Sequence, residues 1–118
     1  MSKTLFGSCL CGSITYEVVG EIAAPSLCNC RMCQKQHGAP FGAYGMVKWA
    51  DFHITRGIEQ LARYRSSPTV TRTFCQTRGS TLQFVRDPRD GFGLAVGTLD
   101  SEFSSEPAVQ IFTQDKAH

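Results

Sequence analysis

Three thiols within six residues, at Cys28-Asn29-Cys30-Arg31-Met32-Cys33, restrict this chain more than any other feature of it. Spaced so closely, the three sulfurs come within reach of one small ion. Free cysteines often serve as small buried side chains, but packing seldom calls for three in so short a run. Two more form Cys9-Leu10-Cys11, and the sixth, Cys75, stands alone far downstream. The opening residues Met1-Ser2-Lys3-Thr4-Leu5-Phe6-Gly7 hold no long apolar run, so neither a signal peptide nor a membrane-spanning helix is expected. The expected compartment is the cytoplasm, where reducing conditions favour thiolate–metal bonds over a disulfide framework.

A chain of 118 residues suits one domain, here 1–118, with a modest apolar core that a bound metal would help to staple. Hydrophobic residues at 42% and charged residues at 19% exclude a disordered or highly charged tail. The net charge of +2 comes from scattered Lys and Arg and argues against a nucleic-acid partner.

Runs rich in β-branched and aromatic residues predict strands at 13–20, 41–49, 52–57, 61–68, 70–75, 81–85, 92–99 and 108–113. The glycines of 41–49 suggest a strand that approaches another backbone or a ligand closely. Residues 31–37 lack β-branched side chains and precede Gly38-Ala39-Pro40, so a short helix is expected there, with Cys30 and Cys33 on one face. No sustained 3.6-residue apolar period occurs, and the fold class is mainly β. Gly7 and Gly12 bracket Cys9 and Cys11 and allow a close turn that faces both thiols toward one ion; alternation along a regular strand is the other way to align them.

Thiolate sulfur favours zinc, a borderline-soft ion that prefers four tetrahedral ligands. Cys28, Cys30 and Cys33 supply three ligands and leave the fourth position open, as in catalytic zinc sites. His37, four residues beyond Cys33, would close that position as a ligand; the alternative is a loop residue or a pocket wall. Cys9, Cys11 and Cys75 are candidates for a second site that would staple distant strands. Arg63, Arg65 and Arg72 either line an anion pocket or, as the alternation Arg63-Tyr64-Arg65 suggests, mark the wet face of a strand.

Taken together, Gly7-Ser8-Cys9-Leu10-Cys11-Gly12, the Cys28 to Cys33 cluster with Gly38 and Phe41, Tyr64-Arg65-Ser66-Ser67, Arg72-Thr73-Phe74-Cys75, Gly79-Ser80 and Gly97-Thr98-Leu99-Asp100 resemble the glutathione-dependent formaldehyde-activating enzyme family, which includes centromere protein V. The resemblance covers nearly the whole chain. It implies a small single-domain β-tent fold, a catalytic zinc at Cys28, Cys30 and Cys33, and a structural zinc at Cys9, Cys11 and Cys75. It also implies a carbon–sulfur lyase activity on a small thiol–aldehyde adduct, joining glutathione and formaldehyde as S-hydroxymethylglutathione or the reverse. The alternative is a non-catalytic zinc-binding domain that binds a protein or nucleic acid.

Three departures from the family pattern stand out. Arg78 occupies the place of the second cysteine in Phe-Cys-x-x-Cys-Gly-Ser, and a guanidinium cannot ligate zinc. Pairing of Arg78 with the remaining thiolates, in place of part of the missing cation, is one expectation; a solvent-facing Arg78 is the other. Gln110 stands where histidine is frequent, and the chain stops at His118, earlier than the pattern leads one to expect. Three cysteinates around a divalent ion leave excess negative charge, for which Arg31 and Lys35 are the nearest cations in sequence.

Overall fold

Side-chain alternation builds the smaller of two sheets. In the computed structural model, which describes residues 4–23, 25–87, 89–101 and the backbone of 109–111, strand β1 (Thr4–Ser8) pairs antiparallel with β2 (Thr15–Val19). On β2 the apolar Tyr16 and Val18 face inward while Thr15 and Glu17 face partly outward, the period-two pattern of a half-buried strand. Strand β5 (Phe52–Arg56) completes the sheet in the order β1-β2-β5. Gly7 lies opposite Tyr16, and a Cβ there would fall 2.2 Å from the tyrosine ring. Only glycine lets this ring lie across β1, where its hydroxyl meets Thr98 Oγ1 at 2.6 Å. Thr98 donates its own proton to the Ala95 carbonyl, so Tyr16 is the donor to Thr98.

The larger sheet runs β10-β3-β4-β9-β8-β7-β6. Its members are β3 (Ser26–Cys28), β4 (Gly42–Lys48), β6 (Leu61–Ser67), β7 (Val70–Cys75), β8 (Thr81–Arg86), β9 (Gly91–Ala95) and β10 (Val109–Ile111). All of its pairs are antiparallel except β10 with β3. Between the sheets Leu5, Ile14, Tyr16, Val18, Val47, Leu61, Leu82, Phe92 and Leu94 form one core, with Cys9 and Cys75 embedded in it. Each such side chain, fully buried, stabilises the fold by about 1.5–3 kcal/mol. A second cluster joins Cys28, Cys33, Tyr44 and Ala95, with Cys30 and Phe84 against it. Each cysteine group thus borders a packed core.

The mainly β expectation is borne out. The helix expected at 31–37 is α1 (Arg31–His37), which starts at Cys30 as N-cap and stops at Gly38 in left-handed conformation. The strand expected at 92–99 ends at Ala95, where residues 96–98 form a 3-10 turn. Of the two ways of aligning Cys9 and Cys11, the chain takes the glycine-bracketed turn: both lie between β1 and β2 rather than on a strand. Its main-chain bonds run from Cys9 N to the Ile14 carbonyl and from Gly12 N to the Cys9 carbonyl. Among the described residues no helix is long and apolar enough to cross a membrane. The side chain of Gln110 lies outside the described residues.

Candidate metal centres

Local chain geometry places the first thiol group. Cys28 ends β3, Cys30 caps α1, and Cys33 lies one helical turn on, fully buried. The Cys33 N–H donates to Cys30 Sγ at 3.4 Å, so the sulfur fills the role a serine oxygen plays at ordinary helix starts. Cys28 Sγ is 3.5 Å from Cys30 Sγ, and all three sulfurs lie within 4.8 Å of one another. Sulfurs bound at about 2.3 Å to a tetrahedral ion stand about 3.8 Å apart, so this triad fits zinc with little movement.

Cations and burial act on the three thiols in opposite directions. Burial pushes Cys28 up to about 12. Burial also raises Cys33, against the opposing Arg72 guanidinium. Cys30 is half-buried, and although burial opposes its ionisation, the Cys33 N–H, its thiol neighbours and Arg72 together hold it below the ordinary thiol value. Arg72 is 4% exposed and donates from Nη1 to Cys33 Sγ at 3.5 Å and to Gln36 Oε1 at 2.7 Å. Its Nε reaches Ser66 Oγ at 3.0 Å, and the guanidinium lies 4.9 Å from the Phe84 ring centroid. Arg31 and Lys35 are exposed on α1, so the cation at the triad is Arg72, which sequence proximity does not indicate. Arg63 and Arg65 do lie on a wet face; Arg65 pairs with Asp87 at 2.6 Å.

His37 stands apart from the thiols. Its Nε2 lies 2.6 Å from the Tyr44 hydroxyl, and it lines a hollow of about 400 Å³ with Gln36, Ser80 and Thr98. It is the pocket wall of the two expectations. Burial, with Arg72 nearby, holds this imidazole below its usual value. In the unfolded chain it titrates near about 6.5. As pH falls through that value the unfolded state binds a proton that the folded state refuses, and stability drops until the lower folded value is passed. His37→Gln should therefore flatten the loss of stability between about pH 7.5 and about pH 5.5 in urea unfolding. An unchanged slope would mean that His37 is not held neutral.

The second group joins the turn after β1 to the end of β7. Cys11 Sγ is 3.6 Å from Cys9 Sγ and 3.7 Å from Cys75 Sγ, again near the tetrahedral spacing. Main-chain N–H groups stabilise charge here. Burial opposes ionisation of Cys75, but the Ser13 hydroxyl and the N–H groups of Arg78 and Thr77 bring it down to about 6. Cys9 is lowered as well: the Ile14 N–H and the Ser13 hydroxyl outweigh its burial. The Arg78 side chain is exposed and has no ion pair or hydrogen-bond partner among the described residues. The expectation that its guanidinium pairs with the thiolates is thereby corrected, since only its backbone N–H reaches Cys75.

A cleft of about 250 Å³ opens beside Cys28 and Cys30, lined also by Ser66, Thr69, Arg72 and Arg86. A larger hollow of about 620 Å³, between Trp49, Ile58 and Val85, touches neither triad.

The sequence model of the glutathione-dependent formaldehyde-activating enzyme family matches residues 4–115. The chain belongs to this family. A Halomonas elongata protein provisionally named glutathione-dependent formaldehyde-activating enzyme is 34% identical over 92 residues, which are 72% of this chain and 57% of that protein. The match thus spans little more than half the length of that curated relative. A crystal structure of a Rhodobacter sphaeroides protein superposes with a TM-score of 0.72 at 24% identity, covering 89% of this chain and 98% of the other, a likeness of fold. Within this family member each of the two cysteine triads could hold a metal ion. Sequence reasoning singled out neither Ser13 nor Tyr44. Their roles depend on contacts across 62 and 7 residues, and only the first carries a signal, an extra hydroxyl beside a thiol pair.

Proposed function

We propose that the chain is a zinc-dependent enzyme that adds a small anionic thiol, of which glutathione is the family's example, to formaldehyde, or reverses that addition. The observation that carries this reading is the 250 Å³ cleft, which opens onto two thiols of the Cys28, Cys30 and Cys33 group and has two guanidinium groups in its lining. Zinc held by these three cysteines would keep a substrate thiol ionised at neutral pH, well below the free thiol value of about 8.5.

The remaining work falls to the chain's own residues. Arg72 offsets the excess negative charge of three thiolates through its bond to Cys33. Arg86, exposed beside the cleft and 5.7 Å from the Phe84 centroid, is free to meet a substrate carboxylate. Ser66, Ser67 and Thr69 offer hydroxyl partners along the same wall. In the addition, a sulfur–carbon bond forms as the carbonyl π bond opens, and the proton lost by the thiol ends on the new hydroxyl oxygen. No oxidant or reductant is needed. The proposed setting is the cytoplasm.

The test is the rate of exchange between glutathione and carbon-13-labelled formaldehyde, followed by NMR with zinc per chain measured in parallel. The zinc-loaded protein is expected to accelerate exchange above the spontaneous rate. Cys30→Ser should lose about one zinc per chain and most of the acceleration, roughly a hundredfold or more. A zinc-loaded protein that leaves the exchange rate unchanged would overturn the reading in favour of a metal-stapled binding domain.

A further inference from the structure

The group at Cys9, Cys11 and Cys75 lacks the thiol that Arg78 replaces, yet it does not lack a fourth polar atom. Ser13 Oγ lies 3.6 Å from Cys9 Sγ, 3.1 Å from Cys11 Sγ and 3.4 Å from Cys75 Sγ. With zinc–sulfur bonds of about 2.3 Å and zinc–oxygen bonds of about 2.0–2.2 Å, a tetrahedral centre sets sulfur and oxygen ligands about 3.5 Å apart. The hydroxyl therefore caps the sulfur triangle at the distance of the missing vertex. We propose that this group is a zinc site with three sulfur ligands and one oxygen ligand, in which Ser13 Oγ takes the place left empty by Arg78.

The backbone holds that hydroxyl in position. Arg56 Nη2 donates to the Gly12 carbonyl at 2.6 Å, on one side of Ser13. The Ser13 carbonyl packs so closely on Gly57 that a Cβ there would fall 1.9 Å from its oxygen. The Cys75 loop is tied to the same turn, because Leu10 N–H donates to Ser80 Oγ at 2.9 Å. Two chain segments far apart in sequence thus present four ligand atoms to one point. The weaker oxygen ligand makes this centre more labile than one with four thiolates, and the inference stands whether or not the cleft at Cys28 is catalytic.

The experiment uses the Cys30→Ser protein, so that retained zinc reports on the other group. Zinc release to a chelator and the visible spectrum of the cobalt-substituted protein are followed. One zinc per chain is expected, released at least about tenfold faster after Ser13→Ala and at an unchanged rate after Ser13→Thr, which keeps the hydroxyl. Ser13→Cys should slow release and move the cobalt bands to lower energy, as an added sulfur ligand requires. Adding Arg78→Cys to Ser13→Ala should restore slow release. The proposal is overturned if the Cys30→Ser protein holds no zinc, or if release and cobalt bands are indifferent to the residue at position 13.

Discussion

Replacing Arg72 with methionine is expected to destabilise the zinc-loaded protein by about 3–5 kcal/mol, among the largest effects any single side chain here should produce. The guanidinium is 4% exposed and divides its donors among Cys33, Gln36 and Ser66 while it stacks on Phe84. Methionine keeps the length of the side chain and its contact with the ring. What it removes is those donors and the positive charge facing three thiolates, which together carry one more negative charge than a divalent ion supplies. An uncompensated buried charge is what makes breaking such a pair so costly. The metal-free protein should respond differently. Burial there favours the neutral form of Cys28 and Cys33, so Arg72 faces less negative charge and removing it costs far less. Urea unfolding of both proteins, with zinc and after chelation, separates these cases. An equal penalty in the two states would mean that Arg72 acts through hydrogen bonds and packing alone.

What was legible in the sequence follows from how local each determinant is. Tyr16 and Val18 alternate with polar neighbours along one strand, so the inward face of β2 can be read without knowing its partners. Helix α1 is bounded by Cys30 and Gly38, both within one residue of its ends, so its limits can be read directly. The pairing of Cys11 with Cys75 spans 64 residues, and only the spacing within the first thiol pair and then the motif resemblance pointed to it. Arg72 was in view only with Arg63 and Arg65, as the lining of an anion pocket or part of a wet strand face, and its burial corrects the second of these. Its burial comes from Cys33 and Gln36 of α1, Ser66 and the Phe84 ring closing over it, while its cross-strand partner Tyr64 on the edge strand β6 stays exposed. The exposure of Arg78 and the approach of Ser13 to three sulfurs depend likewise on how two distant turns meet. The family pattern marks Arg78 as a departure, but only the folded chain shows the Ser13 hydroxyl beside the three sulfurs.

Gly57→Ala should test that meeting point most severely, with an expected loss of at least about 3 kcal/mol and a melting temperature lower by roughly 10 °C or more. Gly57 has φ +84, a left-handed conformation that alone costs a side chain of order 1–3 kcal/mol. The added Cβ would also fall 1.9 Å from the Ser13 oxygen and 2.8 Å from the Ser13 carbonyl carbon, and backbone cannot swing aside as the end of a long side chain can. On its other side Gly57 begins the 3-10 turn 58–60, with its carbonyl accepting from Gln60 N–H at 2.8 Å. Gln60 in turn holds the Cys75 loop: its carbonyl accepts from Gln76 N–H at 2.9 Å, and its Oε1 from Thr77 Oγ1 at 2.8 Å. A shift at Gly57 therefore pushes both halves of the Cys9, Cys11 and Cys75 group apart. Zinc should leave this group at a lower temperature than the one at which the chain unfolds, while the Cys28 group keeps its metal. Gly97→Ala is the control, because a Cβ there meets nothing within 4 Å and should change the melting temperature little. Equal stability of the two variants would mean that the turn at Ser13 does not rest on Gly57, and the vertex assigned to the Ser13 hydroxyl would lose its support.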